Sequence, residues 1–201
     1  MKRLFDILFS LIGLIFLSPF FLIISLIIVF GSKGGVFYFQ KRVGKNNRDF
    51  RLIKFRTMFS KSENQGLLTI GDKDSRITKA GIWLRKYKID ELPQLLNILK
   101  GEMSFVGPRP EVRKYVDLYN ERQKTVLDVK PGLSDYASLE YINESEILSG
   151  FSDPEKAYVE KIMPAKLELN LKYIREQGLI TDTKILYKTL ASVFNSSTLS
   201  R

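Results

Sequence analysis

The 201-residue sequence predicts an α+β, mostly α protein: a broken apolar helix, then one small domain with a short β-hairpin and amphipathic helices. Three observations predict it. Leu4 to Phe30 carries a single charge, Asp6, and has Ser18-Pro19 near its middle. Residues 36–40 and 50–58 are rich in β-branched and aromatic side chains, and Gly44-Lys45-Asn46-Asn47 lies between them. Beyond residue 78, apolar positions recur at helical spacing, and capping residues or prolines mark the helix starts. The expected regions are 1–32, a membrane segment, 33–195, a folded domain, and 196–201, a flexible tail.

A straight helix over Leu4 to Phe30 would reach roughly 40 Å, more than one hydrocarbon core. The run is too long for a signal peptide, and no Ala-x-Ala-like cleavage site follows it. Pro19 removes a backbone donor and clashes with the preceding turn, while the Ser18 hydroxyl can bond a carbonyl that the break sets free. Lys2 and Arg3 precede the segment; Lys33, Lys41 and Arg42 follow it. Lysine and arginine favour the cytoplasmic side, so this pattern fits entry and exit through one leaflet. A kinked spanning helix fits the proline equally. Asp6 is costly in hydrocarbon and must sit at the interface or pair with a cation, most simply Arg3 on the same helical face. Lys2, Arg3 and Asp6 therefore read as a cluster at headgroup level.

In the remainder, Val36 to Gln40 and Phe50 to Met58 should pair, with Arg51, Lys54 and Arg56 making one basic, anion-facing side. Ser60 to Gly71 reads as a loop, and Asp72 to Arg76 lacks the glycine and distant glutamate of a calcium loop. Thr78 to Lys88 fits an amphipathic helix that carries Arg85. The next helix should begin near Asp90, because Pro93 is tolerated only in a first turn, and should end at Lys100-Gly101. Gly107-Pro108-Arg109-Pro110 is a rigid turn. Glu111 to Leu127 reads as a polar helix, Lys130 to Ser134 as a turn, and Tyr136 to Ile142 as strand or loop. Asp153-Pro154-Glu155 opens a helix that runs towards Gly178 with an interruption at Pro164, and a last helix starts near Asp182. These C-terminal helices either pack on the core or lie in the membrane interface with their lysines at headgroups.

With no histidine and no cysteine, a Ser-His or Cys-His nucleophile and the usual zinc sets are excluded. Carboxylates, lysines, tyrosines and hydroxyls must do any chemistry. The formal net charge of +10 favours an anionic partner: nucleic acid, a membrane surface or a phosphorylated substrate. No RNA- or DNA-binding signature accompanies it, so no nucleic acid is expected. A basic membrane scaffold without activity, or a membrane-bound nucleic-acid binder, is the alternative to an enzyme.

The chemical candidates lie between residues 85 and 110. A helix start near Asp90 puts Asp90 and Glu91 where unpaired backbone N–H groups and the positive end of the helix dipole converge, a place that also attracts phosphate. The bland alternative, a plain N-cap with a first-turn charge, is the stronger reading on local sequence alone. The prolines around Arg109 fix where it points, and a guanidinium held so suits bidentate phosphate contact.

Taken in order, the motifs resemble those of the bacterial sugar transferase family, the monotopic phosphoglycosyl transferases. They are Lys2-Arg3-x-x-Asp6, Ser18-Pro19, Gln40 to Gly44, Lys54 to Met58, Leu84-Arg85, Asp90 to Gln94, Asn97-x-Leu99-Lys100-Gly101-x-Met103-Ser104 and Gly107 to Pro110. The resemblance covers residues 1 to about 135. It implies a re-entrant membrane helix-break-helix in the cytoplasmic leaflet of the bacterial inner membrane, with interfacial amphipathic helices on a cytoplasmic domain. It also implies transfer of a sugar phosphate from a UDP-sugar to undecaprenyl phosphate, with magnesium and release of UMP, in bacterial glycan assembly. Position by position, Asp90 would be the nucleophile and Glu91 its partner in metal binding or acid-base work. Arg85 and Arg109 would hold phosphates, with Lys54 and Arg56 beside them as substrate-binding cations. Membrane lipids are implied partners, and a homodimer is left open. The sequence departs from the family pattern at Leu133 to Tyr141, where many members read Ile/Leu-Thr-Gly-Leu-Ala-Gln-Val-Asn-Gly-Arg. The donor sugar is therefore open. The chain also lacks the extra spanning helices of larger members, and a minimal catalytic unit is expected.

Overall fold

The computed structural model describes residues 2–60 and 74–195; the loop expected at Ser60 to Gly71, all but its first residue, and the tail expected at 196–201 lie outside them. In chain order come α1 (Lys2–Gly31), β1 (Phe37–Val43), β2 (Asp49–Phe55), α2 (Lys79–Lys86), α3 (Leu95–Lys100) and β3 (Ser104–Val106). After the turn at 107–110 follow α4 (Arg113–Val116), α5 (Glu121–Lys124), β4 (Gly132–Ser134), α6 (Tyr136–Glu140), α7 (Glu144–Ser149), α8 (Pro154–Ala157), α9 (Met163–Glu176) and α10 (Leu179–Asn195). The α+β, mostly α expectation holds.

The expected interruption of α1 is one of hydrogen bonding only, since the helix runs unbroken across Pro19. Proline cannot donate to the carbonyl of Ile15, and the Ser18 hydroxyl donates to that oxygen instead, at 2.8 Å. One face of α1 lies along the domain: Leu14 and Leu17 pack against Leu52, Leu95, Ile98 and Met103, while Ile24 and Ile28 meet Phe55 and Leu84. The other face exposes Phe5, Ile12, Phe16, Ile23 and Phe30. Within the described residues α1 alone is long and apolar enough to cross a membrane.

Both ends of α1 are fastened to the same domain. Lys2 Nζ donates to Val106 O at 2.8 Å and to the Tyr173 hydroxyl at 2.6 Å, and pairs with Asp182 at 2.7 Å. Arg3 donates to the carbonyls of Ile98 and Leu99 in the last turn of α3, at 2.5 and 2.8 Å, a favourable place for a cation. Asp6 does not pair with Arg3. It accepts from Ser104 Oγ at 3.0 Å and from the Phe105 N–H at 3.2 Å. The expected headgroup cluster is a set of internal fastenings. At the other end, Arg56 donates to the carbonyls of Ile28 (3.4 Å), Ser32 (2.8 Å) and Lys33, closing the C-terminus of α1. Arg56→Ala would leave these acceptors without their cation, and about 3 kcal/mol of stability should go with it. Thermal melting in detergent should record a loss of about 6–12 °C.

The hairpin forms as expected, antiparallel, with Phe37 opposite Phe55 and Val43 opposite Asp49. Its three cations do not share a face: successive strand residues alternate, so Arg51 and Lys54 point oppositely, and Arg56 lies beyond the strand. The expected polar helix at 111–127 is instead α4, α5 and a 3-10 turn at Thr125–Asp128. An Asn120–Gln123 capping box restarts the chain there. Residues 136–140 are helix rather than strand or loop, because Asp135 caps them. The interruption before Pro164 is a π-helical turn, Tyr158–Ile162. The main core collects Tyr115, Val116, Tyr119, Val126, Leu148, Tyr158, Leu167 and Leu171.

Candidate active site

Asp90 and Glu91 stand in a 3-10 turn, Ile89–Gln94, that runs directly into α3. The α-helical N-terminus expected at Asp90 is displaced to Leu95. Lys88 precedes the turn at a positive φ of 55° and reverses the chain after α2. Buried Asn97 ties this segment to the hairpin: its Oδ1 accepts from Ile53 N at 3.0 Å, and its Nδ2 donates to Arg51 O at 2.8 Å and to Glu102 at 2.7 Å. With the frame set, Lys54 on β2 donates to Glu91 Oε1 at 3.0 Å.

Arg109 reaches Glu91 from the other side and forks it, donating to Oε2 at 3.2 Å and also to Oε1. The turn that presents Arg109 is bonded along its backbone. Gly107 N donates to Ser134 O at 3.0 Å, Pro108 O accepts from Gly132 N at 2.9 Å, and Arg109 N donates to Asp135 Oδ2 at 3.0 Å. Pro110 O accepts from Arg42 at 3.0 Å, and Glu111 O accepts from Val43 N at 2.9 Å. Glu111 in turn pairs with Arg42 at 3.0 Å and accepts from the Tyr158 hydroxyl.

The adjacent carboxylates are driven apart electrostatically. Burial pushes the Glu91 carboxyl up, but Arg109 and Lys54 outweigh it and hold Glu91 well below the usual range. Asp90 is 6% exposed, and among the described residues no cation pairs with it within the 4.0 Å of an ion pair. Burial raises its pKa, Glu91 adds to the rise, and Lys54, Arg85 and Lys88 pull it back only in part. Burial also lowers the Lys54 ammonium, against the pull of Glu91. Glu91 is thus a fixed anion, and Asp90 is a buried carboxylate with no ion pair among the described residues.

Of the residues read from sequence, Asp90, Glu91, Lys54 and Arg109 come together, and Arg85 stands close enough for its charge to act on Asp90. Arg56 does not join them: it is spent on the end of α1. Lys2, Arg3, Asp6, Ser18 and Pro19 belong to α1 and its fastenings. Asn97, Asp135 and Arg42 were not among the expected site residues, although Asn97 and Arg42 stand in motifs that carry the resemblance and Asp135 had a local signal, a capping aspartate three residues before Ser138.

Among the described residues no group of three potential ligands could hold a metal alone, and Mg²⁺ is usually held by one or two carboxylates with phosphate oxygens and water supplying the rest. Asp90 and Glu91 would be those carboxylates.

The site is thus a buried carboxylate pair, one member of which is held by two cations, on a domain that an apolar helix lies along, and such an arrangement can compensate the charge of a phosphorylated ligand. The chain belongs to the bacterial sugar transferase family, which matches it over residues 1–196. It is 37% identical over 196 residues to the UDP-N-acetylgalactosamine-undecaprenyl-phosphate N-acetylgalactosaminephosphotransferase of Aeromonas hydrophila, an alignment covering 96% of this chain and 43% of that protein. It is 34% identical to the exopolysaccharide production protein ExoY of Rhizobium meliloti (strain 1021), covering 96% and 84%. The UDP-glucose:undecaprenyl-phosphate glucose-1-phosphate transferase of Escherichia coli (strain K12) is 33% identical, covering 96% and 40%. Against the first and last of these the chain spans less than half of the relative's length.

Proposed function

We propose that this chain transfers a sugar 1-phosphate from a UDP-sugar to undecaprenyl phosphate at the cytoplasmic face of the membrane, by way of an aspartyl-phosphosugar on Asp90. The observation that carries the reading is the division of labour in the carboxylate pair: Glu91 is locked by Arg109 and Lys54, and Asp90 has no ion pair among the described residues. An Asp90 oxygen attacks the β-phosphorus of the donor; the bond from that phosphorus to the α-phosphate oxygen breaks, and UMP leaves. An oxygen of undecaprenyl phosphate then attacks the same phosphorus, and the carboxylate departs unchanged. Splitting the transfer lets one site serve a soluble donor and a lipid acceptor in turn. When bound by Asp90 and Glu91, Mg²⁺ supplies charge compensation for the diphosphate. Arg109, whose side chain is 34% exposed, and Arg85 supply the rest as phosphate-binding cations.

The same reading makes the protein monotopic, with α1 entering and leaving by one leaflet. Because the unbroken 30-residue helix sets its first turn about 45 Å from its last, it keeps both ends at one leaflet by lying along the membrane rather than across it. Support comes from Lys2, Arg3 and Asp6, which bond the domain that the other end of α1 enters.

Purified protein should release UMP from one member of a UDP-sugar panel when given undecaprenyl phosphate and Mg²⁺. Reporters fused at residue 1 and within the domain should both face the cytoplasm. Silence across the panel from folded protein would favour the scaffold alternative, and reporters on opposite faces would sink the one-leaflet topology.

A further inference from the structure

We infer that Asp135 is a positioning residue for Arg109, fixing the backbone from which that guanidinium works. The inference rests on the reading of Arg109 as a phosphate-binding group. Within Pro108-Arg109-Pro110 the prolines have no N–H, so the N–H of Arg109 is the sole backbone donor of the run, and Asp135 Oδ2 accepts it at 3.0 Å. The other oxygen, Oδ1, accepts the Ser138 N–H at 2.6 Å and caps α6. Asp135 is 0% exposed, and among the described residues it has no ion pair. A carboxylate buried so completely is costly unless each lone pair is used.

A cap alone does not call for aspartate, because asparagine and serine cap as well. What only a carboxylate provides here is two acceptors and no donor. Asparagine could keep Oδ1 on Ser138, but would then turn an NH₂ group towards the Arg109 N–H. Asp135 also falls in the segment that departs from the common family pattern, and a glycine at that position would offer no side-chain acceptor. The departure therefore bears on how this chain holds its arginine, through a residue that bonds the Arg109 backbone.

The test compares Asp135→Asn, which keeps the cap bond and loses the Arg109 bond, with Ser138→Pro, which does the reverse. The readout is UMP release from UDP-N-acetylgalactosamine and from UDP-glucose, each with undecaprenyl phosphate and Mg²⁺. Asp135→Asn should lower kcat/KM for the donor by about 10- to 100-fold, the scale of an ångström-sized misplacement. Ser138→Pro should stay within about twofold, as cap loss alone touches stability only. In an Arg109→Lys background, Asp135→Asn should add less than about a further twofold, since a residue acting through Arg109 is not additive with it. Hydrogen exchange gives a reading independent of turnover: the Arg109 amide should exchange at least about tenfold faster in Asp135→Asn. Equal losses in both backgrounds, or an Arg109 amide that keeps its protection, would overturn the inference. If wild type releases UMP from neither donor, the proposed function is in doubt, while the exchange experiment still decides whether Asp135 anchors the turn.

Discussion

Asp90→Asn should abolish UMP release, by a factor on the order of 10⁴ or more, the scale seen when a nucleophile is removed. It should also melt at a higher temperature than wild type at neutral pH. Both outcomes come from one property, a carboxylate buried with no ion pair among the described residues. Asparagine has nearly the same shape but cannot attack phosphorus as an anion, and it carries no charge to desolvate. The raised pKa sets the sign with pH. A group whose folded pKa lies above its unfolded value contributes its stability fully below the unfolded value, about 3.9 for aspartate, and loses it as pH climbs through the folded one. The advantage of the asparagine variant should thus be absent in acid and grow with pH across that window. Turnover by wild type should rise through the same window, with its acid limb above the ordinary aspartate range. Appreciable turnover in the variant would exclude an aspartyl intermediate. A lower melting temperature would mean that Asp90 is better compensated than its burial implies.

The elements legible in the sequence were those fixed by neighbours along the chain. Alternation and the Gly-Asn loop gave the hairpin; Asp153 with Pro154, and Gly101 at φ 89°, marked a helix start and a helix end. Where side chains answered to partners far away, the reading failed. Tyr115, Tyr119 and Val126 belong to the main core as an even helix at 111–127 would place them, yet the chain is restarted within that span by the Asn120–Gln123 capping box. Asp6 lies three residues from Arg3 but bonds Ser104 and Phe105 across the fold. Arg56, set beside Lys54 as one of three cations on a strand, turned out to close a helix. The site divides in the same way. Asp90, Glu91 and Arg109 were visible as residue types in unusual settings, whereas Asn97 and Asp135 matter through hydrogen bonds to chain segments 26 to 46 residues away.

Gly132→Ala should be severely destabilising, because the added methyl meets backbone. Gly132 lies on β4 opposite Ser104 of β3 in the parallel pair, and a Cβ there would lie 2.1 Å from Gly107 N and 2.4 Å from Gly107 O. The obstacle is backbone, which cannot swing aside as a side chain can. The φ of Gly132 is not in the left-handed region, so the penalty is one of space rather than of conformation. Relief requires the two segments to part, and with them go the Gly132–Pro108 and Gly107–Ser134 hydrogen bonds on which the Arg109 turn rests. A loss on the order of 4 kcal/mol or more is expected, seen as a fall in melting temperature of about 10 °C or more. Gly178→Ala, where nothing lies within 4 Å of the new Cβ, should change stability by no more than about 0.5 kcal/mol. Should Gly132→Ala melt like wild type, the close approach of these backbones would not exist, and the path from β4 through the turn to Arg109 would have to be redrawn. Should it melt early and lose turnover while Gly178→Ala does neither, the glycine is what lets residues 107–110 lie against 132–135 closely enough for Asp135 to take the Arg109 N–H.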